Sequence, residues 1–179
     1  MSQTPVREAL LRLEQLGLIN VRPQSGTEVA YIDIVQLEQN HFLREALECE
    51  VVRRLAEQDN QGLVQHLLSI LDMQESVSDD DVMLFAKLDE LFHRTMFEAV
   101  GQLSLHQLIR SRSGHMDRVR RLHLPLEGKI KSVLEGHRAI VMGIQFNDLV
   151  HAVAQMREHL AGTIEKIHLL RDEFPNYFC

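Results

Sequence analysis

From Asp33 to the C-terminus the chain carries helical patterning almost without relief. Apolar residues recur at three- and four-residue spacing through segments near 33–58, 62–76, 78–100, 103–123, 126–145 and 147–172. The interruptions are short: Asn60-Gln61-Gly62, Ser76-Val77-Ser78, Gly101, Leu124-Pro125 and Phe146-Asn147. Asp33, Ser78 and Asn147 stand where N-caps are wanted, and Pro125 stops a helix because it has no N–H to give. Asp79-Asp80-Asp81 suits a helix N-terminus, where negative charge is favourable. Helices joined by such short links must fold back on one another. The pattern therefore predicts an all-α antiparallel bundle of six or seven helices, long enough to bury a core of its own.

Composition narrows the class. With 45% hydrophobic and 25% charged residues, a disordered chain is excluded. Lys+Arg 19 against Asp+Glu 26 gives a net charge of −7, so the molecule as a whole does not adhere to polyanions, and any contact with DNA must come from a local element. Two cysteines, Cys49 and Cys179, cannot build a disulfide framework. Cys49 and the methionines read as core fillers. No apolar run approaches the roughly 18 residues of a membrane span, and the N-terminus lacks a signal peptide's apolar stretch. These features predict a cytoplasmic protein with no membrane partner.

Residues 1–31 differ from the rest, which divides the chain into 1–31 and 32–179. Thr4 to Leu16 reads as a helix, with Thr4 as N-cap, Pro5 at the first helical position and Gly17 as the stop. Val6, Ala9, Leu10, Leu13 and Leu16 form one apolar stripe along it. Two β-prone runs follow, Leu18–Arg22 and Thr27–Tyr31, separated by the turn cluster Pro23-Gln24-Ser25-Gly26. That is a hairpin signal. A helix followed by a two-stranded wing is what a winged helix retains when its first two helices are taken away.

Ten histidines are present, and imidazole is the commonest metal ligand. Asp89 and His93 lie four apart and project from one helix face. His137 and His159 would be about 33 Å apart in one unbroken helix. The Phe146-Asn147 turn folds their helices back antiparallel and brings them to a similar height. One carboxylate and three imidazoles from three helices make a sensible site for a divalent metal such as Zn²⁺, Ni²⁺ or Mn²⁺.

The string Ser2-x-Thr4-Pro5-Val6-Arg7-Glu8-Ala9-Leu10-x-x-Leu13-Glu14-x-x-Gly17-Leu18 resembles the recognition helix of the GntR family of bacterial transcription regulators. The helical region is similar to that family's FadR-type effector-binding module, the FCD domain, so the resemblance spans essentially the whole chain. It implies two further helices of the DNA-binding domain ahead of Met1. It also implies DNA contacts by Thr4 and Arg7 on the helix and by Arg22 and Gly26 on the wing, although the family commonly has Arg where this chain has Gln3. In the metal-binding branch of the family the ligands are Asp-x-x-x-His on one helix and a His on each of the last two. Asp89, His93, His137 and His159 match that pattern. Arg44 matches a family arginine that faces the effector cavity, and it is also spaced to pair with Glu48.

The resemblance thus implies a non-enzymatic, homodimeric regulator that binds operator DNA under the control of a small carboxylic acid. Two other readings stay open at this point. One is a bundle metalloenzyme built on the Glu-x-x-His strings Glu38–His41, Glu90–His93 and Glu165–His168. Against it, the sequence holds no His-Glu-x-x-His, Gly-x-Ser-x-Gly or phosphate-cradling glycine loop. The other is a ligand-free dimerisation module. The histidines at 41, 66, 106, 115, 123, 151 and 168 read as surface or hydrogen-bonded residues. The basic stretch from Arg110 to Lys131 reads as a solvated helix face, with a place near the effector or the DNA-binding domain as the alternative.

Overall fold

The computed structural model describes residues 3–78 and 80–179, with side chains from Pro5 onward in the first helix. Helix α1 (Gln3–Gln15) begins one residue before Thr4. Thr4 therefore sits inside the first turn and is not the cap, and its side chain lies outside the described residues. Gly17, at φ +68°, ends the helix, with Leu18 N donating to Leu13 O and Gly17 N to Glu14 O. Strands β1 (Ile19–Arg22) and β2 (Gly26–Val29) then pair antiparallel, from Ile19 opposite Val29 to Arg22 opposite Gly26. Val6, Leu13 and Leu16 of the apolar stripe are exposed.

Eight helices follow where six segments were expected: α2 (Ile34–Ala56), α3 (Gln61–Glu75), α4 (Val82–Ala99), α5 (Leu103–Ser111), α6 (Gly114–His123), α7 (Lys129–Gln145), α8 (Leu149–Ile164) and α9 (Ile167–Glu173). The segment 103–123 breaks between α5 and α6 because the Ile109 carbonyl is taken by Arg112 N, the Ser113 hydroxyl and the Asn40 amide. The segment 147–172 breaks at Glu165-Lys166.

Two further caps, besides Thr4, differ from expectation. Asp81, not Ser78, caps α4 by accepting from Leu84 N, and Asp148, not Asn147, caps α8 by accepting from His151 N. A carboxylate at each position is the stronger acceptor. Asn147 adopts φ +55°, and its amide donates to Ala56 O and Gln58 O, anchoring the α7–α8 turn to the end of α2. Asp33 caps α2 as expected.

The main core lies among α2, α3, α4, α7 and α8, around Val52, Leu67, Phe92, Phe97, Ile140 and Met156. Helices α7 and α8 approach so closely that a Cβ at Gly143 would lie 2.7 Å from the Ala152 backbone. A second cluster, including Ile32, Met116, Val119 and Leu170, ties α6 and α9 to the segment that leaves the wing.

Candidate metal centre

Three helices aim four side chains at one buried point. Asp89 and His93 come from α4, one turn apart; His137 comes from α7 and His159 from α8. One ligand atom from each can be chosen so that all four lie within 4.8 Å of one another. Atoms on opposite sides of an ion with bonds near 2.1 Å are about 4.2 Å apart, so the cluster is nearly at coordination size without rearrangement. The four side chains do converge: His93 Nε2 and His159 Nε2 are 3.3 Å apart, and His137 Nε2 lies 3.5 Å from Asp89 Oδ1. Gly136 makes room for the last ring, since a Cβ there would stand 3.1 Å from His159 Nδ1.

The surroundings orient each donor. His137 Nδ1 meets Gln74 Oε1 of α3 at 3.0 Å, which fixes that nitrogen as the protonated one. Its Nε2 is then a lone-pair donor, fully buried and without a hydrogen-bond partner. His93 Nδ1 lies 2.5 Å from Glu48 Oε2, in a close but bent contact, and leaves Nε2 for the cluster. Asp89 Oδ2 receives Arg120 Nη1 of α6 at 2.9 Å, so Oδ1 is the oxygen turned to the histidines. Phe92 stacks on the His137 ring at 4.0 Å.

Charge follows the same layout. Burial pushes the Asp89 carboxyl up, but Arg120 and then the three histidines outweigh it and hold it well below the usual range. For Glu48, burial is overcome by Arg44 and His93, with the same result. Burial pulls His137 down to about 3 and lowers His159 well below an ordinary histidine, with the neighbouring rings adding to the effect on His159. Neutral imidazoles beside an ionised carboxylate are the form a divalent cation needs. An orphaned buried nitrogen, three imidazoles, two of them held neutral by burial, and one carboxylate fit such an ion.

Arg44 makes the ion pair with Glu48 that its spacing allowed. Its Nε donates to Glu48 Oε1 at 2.7 Å, and it lines a cavity beside the cluster together with Asp89, Arg120, His123, Lys129 and His159. The basic stretch is a solvated face only in part: Arg112, Arg121 and Lys131 are exposed, while others turn inward. Arg120 enters the site, Lys129 lines the cavity, and Arg110 forks onto Asp117 at 3.0 Å through both nitrogens. His106, His115 and His123 are buried; His115 accepts from Asp33 N, but His123 has no partner at Nδ1. His66, His151 and His168 are exposed, as expected.

The Glu-x-x-His strings do not assemble a two-metal site. Glu38 is exposed, as are Glu165 and His168, and the Asp89 cluster is the one such group among the described residues. In the N-terminal unit, Arg7 is exposed and Arg22 is paired with Glu28 at 2.9 Å. Gly26, at φ +123°, has open space where a side chain would stand.

Residues 41–162 match the FCD domain family. The chain is 32% identical, over its whole length and 75% of the relative's, to an HTH-type transcriptional regulator in an unstable DNA locus of Streptomyces ambofaciens. It is 28% identical to the HTH-type transcriptional repressor RspR of Escherichia coli K12, across 99% of this chain and 78% of the relative. Among solved structures, E. coli McbR/YncC superposes with a TM-score of 0.73 at 22% identity, covering 97% of this chain and 82% of that one. A GntR family member from Pseudomonas syringae gives 0.59 at 22% identity, covering 96% and 73%. An all-helical bundle behind a helix-and-wing unit, with these relatives, defines a transcriptional regulator and not an enzyme. The chain belongs to the FCD-domain regulators of the GntR family.

Proposed function

We propose that this regulator senses a small carboxylic acid through a divalent metal, Zn²⁺, Ni²⁺ or Mn²⁺, held by Asp89, His93, His137 and His159. The observation that carries the reading is His137 Nε2: a buried lone pair with no partner, aimed into a cluster of three other donors. A buried polar atom left unpaired is costly, and a cation removes that cost. The bound ion would supply open coordination positions for carboxylate oxygens, because four protein donors do not saturate six-coordinate metals. Arg44 and Arg120 stand in the same cavity to fork an acid group.

Residues 32–179 form the sensing unit and residues 1–31 the part of a winged helix that reaches operator DNA. In this reading Thr4 and Arg7 of α1 meet phosphates and base edges, while Arg22 and Gly26 bring the wing to the minor groove. The regulator works in the cytoplasm as a homodimer, whose two heads must match half-sites about 34 Å apart. Coupling of acid to operator is supported by α6, which faces both ways. Arg120 and His123 line the cavity. Gly114 lies against Leu18, His115 Nδ1 accepts from Asp33 N, and Arg118 donates to Ala30 O at 2.7 Å, all at the exit of the wing. An acid that shifts α6 shifts the wing with it, and linkage makes the coupling reciprocal.

Elemental analysis with native mass spectrometry tests the reading. One divalent ion per chain, lost in His137→Ala and in His159→Ala, is the expected result. A metal-free protein whose melting temperature ignores added Zn²⁺, Ni²⁺ and Mn²⁺ overturns it.

A further inference from the structure

Lys129 and His123 are the two ionisable residues of the cavity to which the metal reading gives no role. Arg44 is answered by Glu48, and Arg120 by Asp89. Lys129, the first residue of α7, forms no ion pair among the described residues, and its Nζ rests over Gly162 of α8, 3.3 Å from where a Cβ would stand. His123 is about nine-tenths buried and its Nδ1 has no partner. Both line the inner cavity beside the cluster, and Lys129 also lines an outer groove that reaches His159 from the surface.

The charge count sharpens this. With a divalent ion in place, the ion brings two positive charges and Arg44, Arg120 and Lys129 bring three, against the buried carboxylates Asp89 and Glu48, while Arg110 with Glu90 and Asp117 beyond them adds a net −1. Two positive charges remain, which is costly in a space this buried unless anions enter. A monocarboxylate cancels one of them; a dianion cancels two. The cavity is small, about 30 Å³ against the 10–15 Å³ one water needs, so the second charge must sit on a short ligand.

We propose that Lys129 and His123 form a second anion subsite, so that the sensed acid is a short dicarboxylate bound at one end by the metal centre and at the other by these two residues. The proposal rests on the metal reading above and deepens it. Burial, with Lys129 and Lys166 nearby, holds His123 down at about 4, so it serves as a neutral hydrogen-bonding group while Lys129 supplies the charge. The N-terminus of α7 has no side-chain cap at this end, which leaves its dipole favourable to the same anion.

The test uses the full chain loaded with one metal ion and titrated calorimetrically at pH 7. Succinate is compared with butyrate and malonate with propionate, pairs of equal length that differ in one carboxylate. The dicarboxylate of at least one pair binds tenfold or more tightly than its partner. Lys129→Met erases that advantage while leaving the monocarboxylate and the metal content unchanged; Lys129→Arg keeps most of it, and His123→Asn reduces it threefold or more. Equal binding within both pairs overturns the subsite, as does a Lys129→Met variant that weakens all four acids alike. A metal-loaded protein that binds none of the four also overturns the subsite while sparing the metal centre. A protein that takes up no metal overturns both.

Discussion

Glu48 and His93 meet at 2.5 Å, carboxylate Oε2 to ring Nδ1, inside the bundle where both side chains are almost wholly buried. The other oxygen of Glu48 holds Arg44 at 2.7 Å. One carboxylate therefore joins the cavity arginine to a candidate metal ligand and holds that ring in place.

Replacing Glu48 with Gln keeps the size but removes the charge. Outer partners of ligating histidines are generally worth about 10- to 100-fold in metal affinity. Glu48→Gln lowers affinity for Zn²⁺ by that range in competition with a chromogenic chelator, and stoichiometry stays at one. Unchanged affinity would mean that Glu48 serves only Arg44.

Arg120 and Asp89 define a second case. The arginine is the only cation paired with Asp89 among the described residues, and Asp89 is buried. Removing one member of a buried pair strands the other, at about 3–5 kcal/mol; partial exposure of Arg120 moves this to roughly 2–3 kcal/mol. Arg120→Leu loses that much stability in urea unfolding of the metal-free protein. Much of it returns when Zn²⁺ is added, because the ion takes over as counter-charge to Asp89. A deficit that persists in full with metal bound would place the role of Arg120 in packing.

The legible part of this molecule is the part carried by local spacing. Helix periodicity and short links gave the bundle, and a four-residue step plus one turn placed Asp89, His93, His137 and His159 together. What spacing could not carry was long-range. Gln74 reaches His137 across 63 positions, with no local signal at all. Arg120 sat within a basic stretch whose ordinary meaning is a solvated face, and only the break at Ser113-Gly114 starts the new helix that carries it to Asp89. The pairing of Arg44 with Glu48 was visible as an i, i+4 step; that Glu48 also grips His93 was not. The two displaced caps, at Asp81 and Asp148, are errors of one to three residues in positions where several polar residues compete for one role.

His123 makes stability depend on pH. Its folded value is about 4, lowered by burial and then by Lys129 and Lys166, against 6.5 for a free histidine. Above pH 6.5 neither state is protonated and the contribution is fully present. Between 6.5 and 4 the unfolded chain binds a proton that the folded protein refuses, so stability falls as the solution is acidified. By pH 5 the loss from this residue is roughly 1–2 kcal/mol. Metal-free wild type therefore loses that much more unfolding free energy between pH 7.5 and 5 than His123→Asn does. Parallel curves for the two proteins would show that His123 titrates alike in the folded and unfolded chain.

Arg118 tests whether the wing is tied to the helical bundle through α6. Its guanidinium donates to the Ala30 carbonyl at 2.7 Å, just past the end of β2. A charged donor of this kind is worth about 1.5–3 kcal/mol where it is shielded, and less here because the arginine is only half-buried. The bundle core does not depend on it, so the loss should be local. Arg118→Ala speeds amide exchange across Ile19–Val29 by about tenfold, equivalent to about 1.4 kcal/mol, while amides of α7 and α8 keep their rates. Faster exchange in α7 and α8 as well would show that Arg118 supports the bundle itself. No change in the hairpin would mean that the wing is held by Leu18 on Gly114 and Asp33 on His115 alone.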